Sequence, residues 1–125
     1  MIYETIYGQP IAKANHYQVA MNKNTGAYYI AKDDIIRDYE LMFKEQCQIY
    51  KNRLISRPFI FHADVFQSSV KFDLDNSVKT VLDCLQYCGA ITDDNLCIGI
   101  HAVKHIDHQQ PRVVYAIEEV EPTLF

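Results

Sequence analysis

The chain has 125 residues, a formal net charge of −4 and an apolar fraction of 49%. That length supports one hydrophobic core, so a single domain over residues 1–125 is expected, with the make-up of an ordinary globular protein. The acidic balance speaks against broad electrostatic adhesion to a polyanion. No apolar run is long enough to span a bilayer and the first residues lack a secretory signal, so a cytoplasmic protein with free thiols at Cys47, Cys84, Cys88 and Cys97 is expected.

Ile2–Tyr7 reads as a short first strand, broken by Gly8-Gln9-Pro10. Residues 12–28 are polar and weakly patterned and read as a long loop with a short hairpin around Asn24-Thr25-Gly26; loops of that length are often functional. Asp33 or Asp34 starts a helix, because Ile35, Ile36, Tyr39, Met42, Phe43 and Cys47 recur at helical spacing, and its end is expected near Asn52. Phe59, Phe61, Ala63 and Val65 alternate with Ile60, His62 and Asp64 as in a strand, interrupted at Gln67-Ser68-Ser69. A second helix begins at Asp75 or Asn76, buries Val78, Val81, Leu82 and Leu85, and stops at Gly89. Residues 96–106 and 112–120 are strands, with 107–111 as a hairpin loop between them. The order predicts a small α/β (α+β) domain, a mixed sheet of about four strands with two helices packed on it.

The chemistry concentrates in Asp73, Asp75, Lys79, Asp83 and the pair Asp93-Asp94. If 70–75 is extended, Asp73 and Asp75 point the same way and reach one cation. Lys79 lies four residues beyond Asp75, on the same face of the following helix, and Asp83 is placed to pair with it. The turn at Asp93-Asp94 would return to the helix start if the next strand lies beside the first. Crowded carboxylates suit a hard divalent cation such as Mg²⁺, which takes one or two of them together with substrate phosphate oxygens. That is the arrangement of a metal-dependent phosphodiesterase acting on nucleic acid. The same residues also read as an N-cap with extra negative charge at the helix dipole, followed by an ordinary turn.

The run from Phe72 to Leu85, with Gly89-Ala90-Ile91-Thr92-Asp93-Asp94 after it, resembles the RusA family of Holliday-junction resolvases. The shared pattern is Asp-x-Asp-Asn, a Lys four residues after the second Asp, an Asp four further on, and an Asp-Asp after a short apolar turn. Ala14-Asn15-His16-Tyr17 is similar to the family's polar N-terminal loop. The resemblance implies a homodimer that resolves four-way DNA junctions by paired symmetric nicks, with Mg²⁺, or Mn²⁺ in its place, and no organic cofactor; small resolvases of this type are common in phages and prophages. It makes Asp73, Asp75 and Asp94 metal ligands, with Asp93 as a further ligand or an orienting neighbour, and Lys79 the catalytic lysine. Lys13, Asn15, His16, Lys23 and Lys71 would contact DNA. The chain departs from the family in lacking a run of arginines before Asp73 and arginine in the N-terminal loop. Rival readings are a branched-DNA binding module, a flap or fork nuclease of the same fold, and a structural metal-binding protein.

Cys84, Cys88, Cys97, His101, His105 and His108 form an alternative zinc set, although their spacing matches no tight zinc motif. Tyr3, Tyr7, Tyr17, Tyr28, Tyr29 and Tyr39 could stack on bases but fit core edges or interfaces better. Lys44, Lys51, Arg53 and Arg57 read equally as a phosphate track or as charges that complement a helix C-terminus.

Overall fold

The structure is a computed structural model and describes residues 1–12 and 17–121. The strands are β1 (Glu4–Tyr7), β2 (Tyr17–Met21), β3 (Tyr28–Lys32), β4 (Phe59–Gln67), β5 (Cys97–Ile106) and β6 (Arg112–Glu119), and the helices are α1 (Asp34–Gln46) and α2 (Leu74–Tyr87). A four-stranded mixed sheet has the order β1-β6-β4-β5, and β2 and β3 form a separate two-stranded sheet. The expected α+β architecture is therefore present. Among the described residues no helix is long and apolar enough to cross a membrane.

Strand β4 organises the sheet. It runs parallel to β5 and antiparallel to β6. Its alternation is strict: Phe59, Phe61, Ala63, Val65 and Gln67 are buried, while Ile60, His62, Asp64 and Phe66 are half-buried on the other face. On the buried face α2 packs against β4 and β5, and α1 packs against α2 and β1. Tyr115 is the hub of that core, with the rings of Phe43 and Phe61 both 6.1 Å from its own.

Helix α1 begins as expected, with Asp33 accepting from the Ile36 N–H at 3.1 Å. It ends at Gln46, not near Asn52, because a buried carboxylate captures the following amides. Glu4, on β1 and 6% exposed, accepts from the N–H groups of Gln48, Ile49 and Tyr50 at 2.7, 2.8 and 3.4 Å and from the Tyr115 hydroxyl at 2.7 Å. Burial raises the pKa of this carboxyl, but the hydrogen bonds from Ile49, Tyr115, Gln48 and Tyr50 outweigh it and hold the group below its ordinary value.

The expected hairpin around Asn24-Thr25-Gly26 is present and longer than expected: β2 and β3 pair antiparallel, and the Asn22 side chain accepts from the Asn24 N–H at 2.9 Å in a turn where Gly26 has φ of 73°. Two further expectations are corrected. Residues 107–111 do not close a hairpin, because β4 lies between β5 and β6; the loop crosses the end of β4, where the Asp107 N–H donates to Gln67 O at 2.8 Å. Residues 70–75 are not extended, because the chain turns at Val70-Lys71 and enters α2 at Leu74, with Asp73 as N-cap. Gly89 terminates α2 as expected. At φ of 75° it places its N–H on Gln86 O and the Ala90 N–H on Leu85 O, the two bonds of a Schellman turn.

Candidate active site at the start of helix α2

Helix α2 forms because Val78, Val81, Leu82, Cys84 and Leu85 bury one stripe, leaving Asp75 and Lys79 on its solvent side. Its first turn is fixed by a buried polar chain. Gln9 donates to Gln67 Oε1 at 2.5 Å and Gln67 donates to Ser77 Oγ at 2.7 Å. The Ser77 hydroxyl and N–H both donate to the Asp73 carbonyl, at 2.9 and 3.2 Å. The Ser68 N–H closes the chain on Gln9 Oε1 at 3.0 Å. From the other side Lys104 on β5 donates to Val70 O and Phe72 O at 3.3 and 3.0 Å, which ties down the turn that delivers Asp73.

The Asp73 carboxylate makes no capping bond to the helix backbone; among the described residues it accepts from the Asn76 side chain, at 3.3 Å. An aspartate at an N-cap ordinarily accepts from the N–H two or three residues on. Here the carboxylate stays outside the helix, and the first-turn amides remain open to an anion. Asp75 follows in the first turn and Lys79 about one turn later, both exposed. Asp83, four residues beyond Lys79, is half-buried.

Asp93 and Asp94 do not join this group. Asp93 caps a short 3-10 turn at Asp94–Leu96, accepting from the Asn95 N–H at 2.8 Å. The Asp94 N–H donates to the Gln86 side chain at 3.1 Å, in the last turn of α2. Thr92 and Ile91 are tied to Ile55, ahead of β4, and β5 then sets out parallel to β4. The expected return of this turn to the helix start is overturned by the parallel β4–α2–β5 crossover, which sends the chain to the opposite end of the sheet. Along α2, Asp73 and Gln86 are separated by about 20 Å, at about 1.5 Å of rise per residue. The oxygen ligands of Mg²⁺ sit at about 2.1 Å, so one cation cannot touch both acidic sets of one chain. Consistent with this, no three His, Cys, Asp or Glu side chains among the described residues are grouped to hold a metal ion. The oxygen-only donors Asp73 and Asp75 suit a hard divalent cation, but as an incomplete set.

Of the expected DNA contacts, Lys13, Asn15 and His16 lie outside the described residues. Lys71 is exposed two residues before Asp73, and Lys23 is exposed in the β2–β3 turn. Of the basic cluster around the end of α1, Lys44 lies over the Tyr87 ring, Arg53 over the Tyr50 ring, and Arg57 is 3.9 Å from Glu121. The alternative zinc set is divided by the sheet. Cys84 and Cys88 are buried in the core on the helix side. On the other face His62 and His105 bond Glu118 and Asp64, each at 2.8 Å, and His101 sits edge-on to His62.

The sequence reading missed Gln9, Gln67, Ser77 and Lys104, which position the turn. Gln67 carried a signal, since it falls on the buried phase of the β4 alternation where an apolar residue belongs. A protein-family model described as Endodeoxyribonuclease RusA matches residues 7–118, nearly the whole chain. No curated protein matches it.

Proposed function

Since the chain belongs to the RusA endodeoxyribonuclease family, we propose that it is a divalent-metal-dependent, homodimeric resolvase that cuts four-way DNA junctions by paired symmetric nicks. The observation that carries this reading is the start of α2: two exposed carboxylates, open first-turn amides and an exposed lysine on one helix end. Enzymes of the family are generally dependent on a divalent metal. Asp73 and Asp75 would hold that ion, Mg²⁺ by the preference of carboxylate oxygens, and when bound it supplies a polarised phosphate oxygen and a water acidic enough to attack phosphorus. The amides of the first turn orient the scissile phosphate. Lys79, reaching the same space, offsets the negative charge that builds on the phosphate oxygens during in-line attack. Lys71 and Lys23 add contacts to the backbone of the junction arms.

The separation of Asp94 from Asp73 supports a composite site. In a dimer, Asp94 of the partner subunit completes the acidic set at the start of α2, with Asp93 orienting it. Each nick then uses groups from both copies, and a two-fold dimer carries two such sites, as symmetric cutting of a four-way junction needs.

The test is cleavage of a labelled synthetic four-way junction, beside linear duplex and a flap, with Mg²⁺ or EDTA. Paired symmetric nicks should appear only with Mg²⁺ and vanish in Asp75→Asn, while that variant folds and binds the junction normally. Preferential cutting of the flap would move the substrate to other branched structures. Full activity in Asp75→Asn would remove the assigned site.

A further inference from the structure

We propose that the β2–β3 hairpin is a branch-sensing arm: the apolar ribbon of Val19, Met21, Tyr28 and Ile30 on one of its faces lies against unstacked bases and gives the chain its preference for branched over linear DNA. This deepens the nuclease reading above and rests on it for nucleic acid as the partner.

The ribbon follows from the register. In the antiparallel pair Val19 opposes Ile30 and Met21 opposes Tyr28. Directly opposed residues share a face, and positions two apart along a strand return to it, so the four side chains form one continuous patch. The body of the chain does not cover it: Val19, Tyr28 and Ile30 are 74%, 76% and 73% exposed, and Met21 is 51% exposed. A two-stranded hairpin alone is at best marginally stable in water, and large apolar side chains on its open face add nothing to its own packing. Such a patch marks a binding surface.

Charge decides what binds there. From Thr5 to Lys32 the sequence holds Lys13, Lys23 and Lys32 and no acidic residue, so the chain's negative balance lies wholly outside the hairpin and its approaches. Lys23 stands exposed in the turn at the tip. A second copy docked face to face through this arm would set like charges together, which is costly at an interface, and lysine is depleted in contacts between proteins. A polyanion suits the segment, and the apolar ribbon selects the form of that polyanion. The groove edges of a linear duplex present mainly hydrogen-bond donors and acceptors. A base that has lost a stacking neighbour exposes an apolar face, on which a tyrosine stacks and aliphatic side chains wedge. Stacking is already interrupted at a branch point, so freeing a base costs least there.

The arm springs from beside the candidate active site. Gln9, on the approach to β2, is hydrogen-bonded to the Gln67 side chain and to the Ser68 N–H, at the head of the turn that delivers Asp73. Ile11 before the hairpin and Ile35 after it line one pocket with Tyr39 and Met42, so both ends of the hairpin leave the body at that place. Each strand has five residues. That length extends about 17 Å, the span of about five nucleotides of one DNA strand at about 3.4 Å each. A phosphate held at the start of α2 therefore has its neighbouring bases within reach of the ribbon.

The test is the affinity of the full chain for a labelled four-way junction and for linear duplex of the same length, read by fluorescence anisotropy in EDTA so that nothing is cut. Tyr28→Thr combined with Ile30→Thr keeps β-propensity and removes the apolar face. It should weaken junction binding by roughly ten- to a hundredfold, the size of a lost base stack, and duplex binding by less than about twofold, with an unchanged circular dichroism spectrum. Val19→Thr combined with Met21→Thr, on the other strand, should repeat the effect, and Tyr29→Thr, on the opposite face, should not. Lys23→Ala should weaken binding to both substrates alike and lower its salt slope by about one. A parent that binds junction and duplex equally, unchanged junction affinity in both double variants, equal losses on junction and duplex, or the same loss in Tyr29→Thr would overturn the proposal. So would a change of oligomeric state in the double variants by light scattering, which would make the ribbon a contact between copies. The two readings fail separately: a chain that prefers junctions through the ribbon but never cuts them keeps the arm and loses the nuclease assignment, and normal junction cutting by variants with an unaltered preference does the reverse.

Discussion

If each centre takes Asp75 from one copy and Asp94 from the other, two dead variants should restore activity when mixed. Asp75→Asn and Asp94→Asn homodimers each lack a ligand in both centres. A heterodimer of the two has one centre in which both residues are altered and one in which both are native. Random exchange of equal amounts yields about half heterodimers, so about a quarter of all centres are intact, provided that closed two-fold pairing governs assembly. Mixing should therefore recover about a quarter of the parent's nicking rate per subunit under the same two-fold pairing. The product should also change: isolated single nicks replace paired cuts, because the second centre of each heterodimer is inactive. The assay is nicking of a labelled four-way junction after the two variants have been co-incubated long enough to exchange subunits, or co-expressed with distinct tags and purified as heterodimers. Absence of activity in purified heterodimers would place both carboxylates in one chain's centre, and the composite site would be refuted. The distance argument makes the test decisive, because the α2 rod between the two acids does not bend enough to bring them within one coordination sphere.

Lys79→Ala should lower turnover by about a hundredfold with junction affinity changed far less, as for removal of one stabilising group at a developing oxyanion; single-turnover rates and filter binding separate the two. Gln67→Leu leaves the buried Gln9 amide and Ser77 hydroxyl short of partners and should cost about 1–3 kcal/mol in urea unfolding, with reduced cleavage because Asp73 is no longer held. Glu4→Gln should cost about 2–4 kcal/mol at neutral pH, since several donors lose a charged acceptor. The pH dependence follows from the lowered pKa of Glu4: its contribution is complete above the ordinary glutamate value and is lost as pH falls through the folded-state value. Thermal melts should accordingly show the parent losing its advantage over Glu4→Gln only in acid; a constant difference across the acid range would refute the assignment.

Much of the fold was legible because both periodicities are clean. The alternation from Phe59 to Val65 and the stripe Val78, Val81, Leu82 and Leu85 each admit one reading, and Gly89 marks the helix end through a backbone conformation that glycine adopts at little cost. The failures share a cause: each was decided by a partner distant in sequence. Helix α1 stops where Glu4 takes its amides, and Glu4 lies more than forty residues away. β5 and β6 look like a hairpin because they are consecutive, but β4, already placed, forms better contacts with both. At the site, Asp73 and Asp75 were grouped on the expectation that 70–75 is extended, whereas the structure sets both at the start of α2 with Lys79 one turn on. Spacing said nothing about where Asp94 goes; the crossover decides that, and crossover geometry is a property of the sheet.

The charge balance takes on a different meaning once the acids are placed. Asp73, Asp75, Asp93 and Asp94 are equal in number to the formal net charge of −4, so the rest of the chain is electrically balanced. The acidity that speaks against a DNA-binding protein is thus concentrated in the residues proposed to be covered by cations when DNA is bound. In the proposed composite sites those carboxylates gather in two compact clusters, each made from two copies. Mutual repulsion within a cluster opposes assembly in the absence of divalent ions and favours it in their presence, by simple electrostatic linkage. A lone subunit then presents an incomplete acid set and no competent centre. Under that proposal cutting would be conditional on pairing, and a lone subunit would leave duplex DNA uncut.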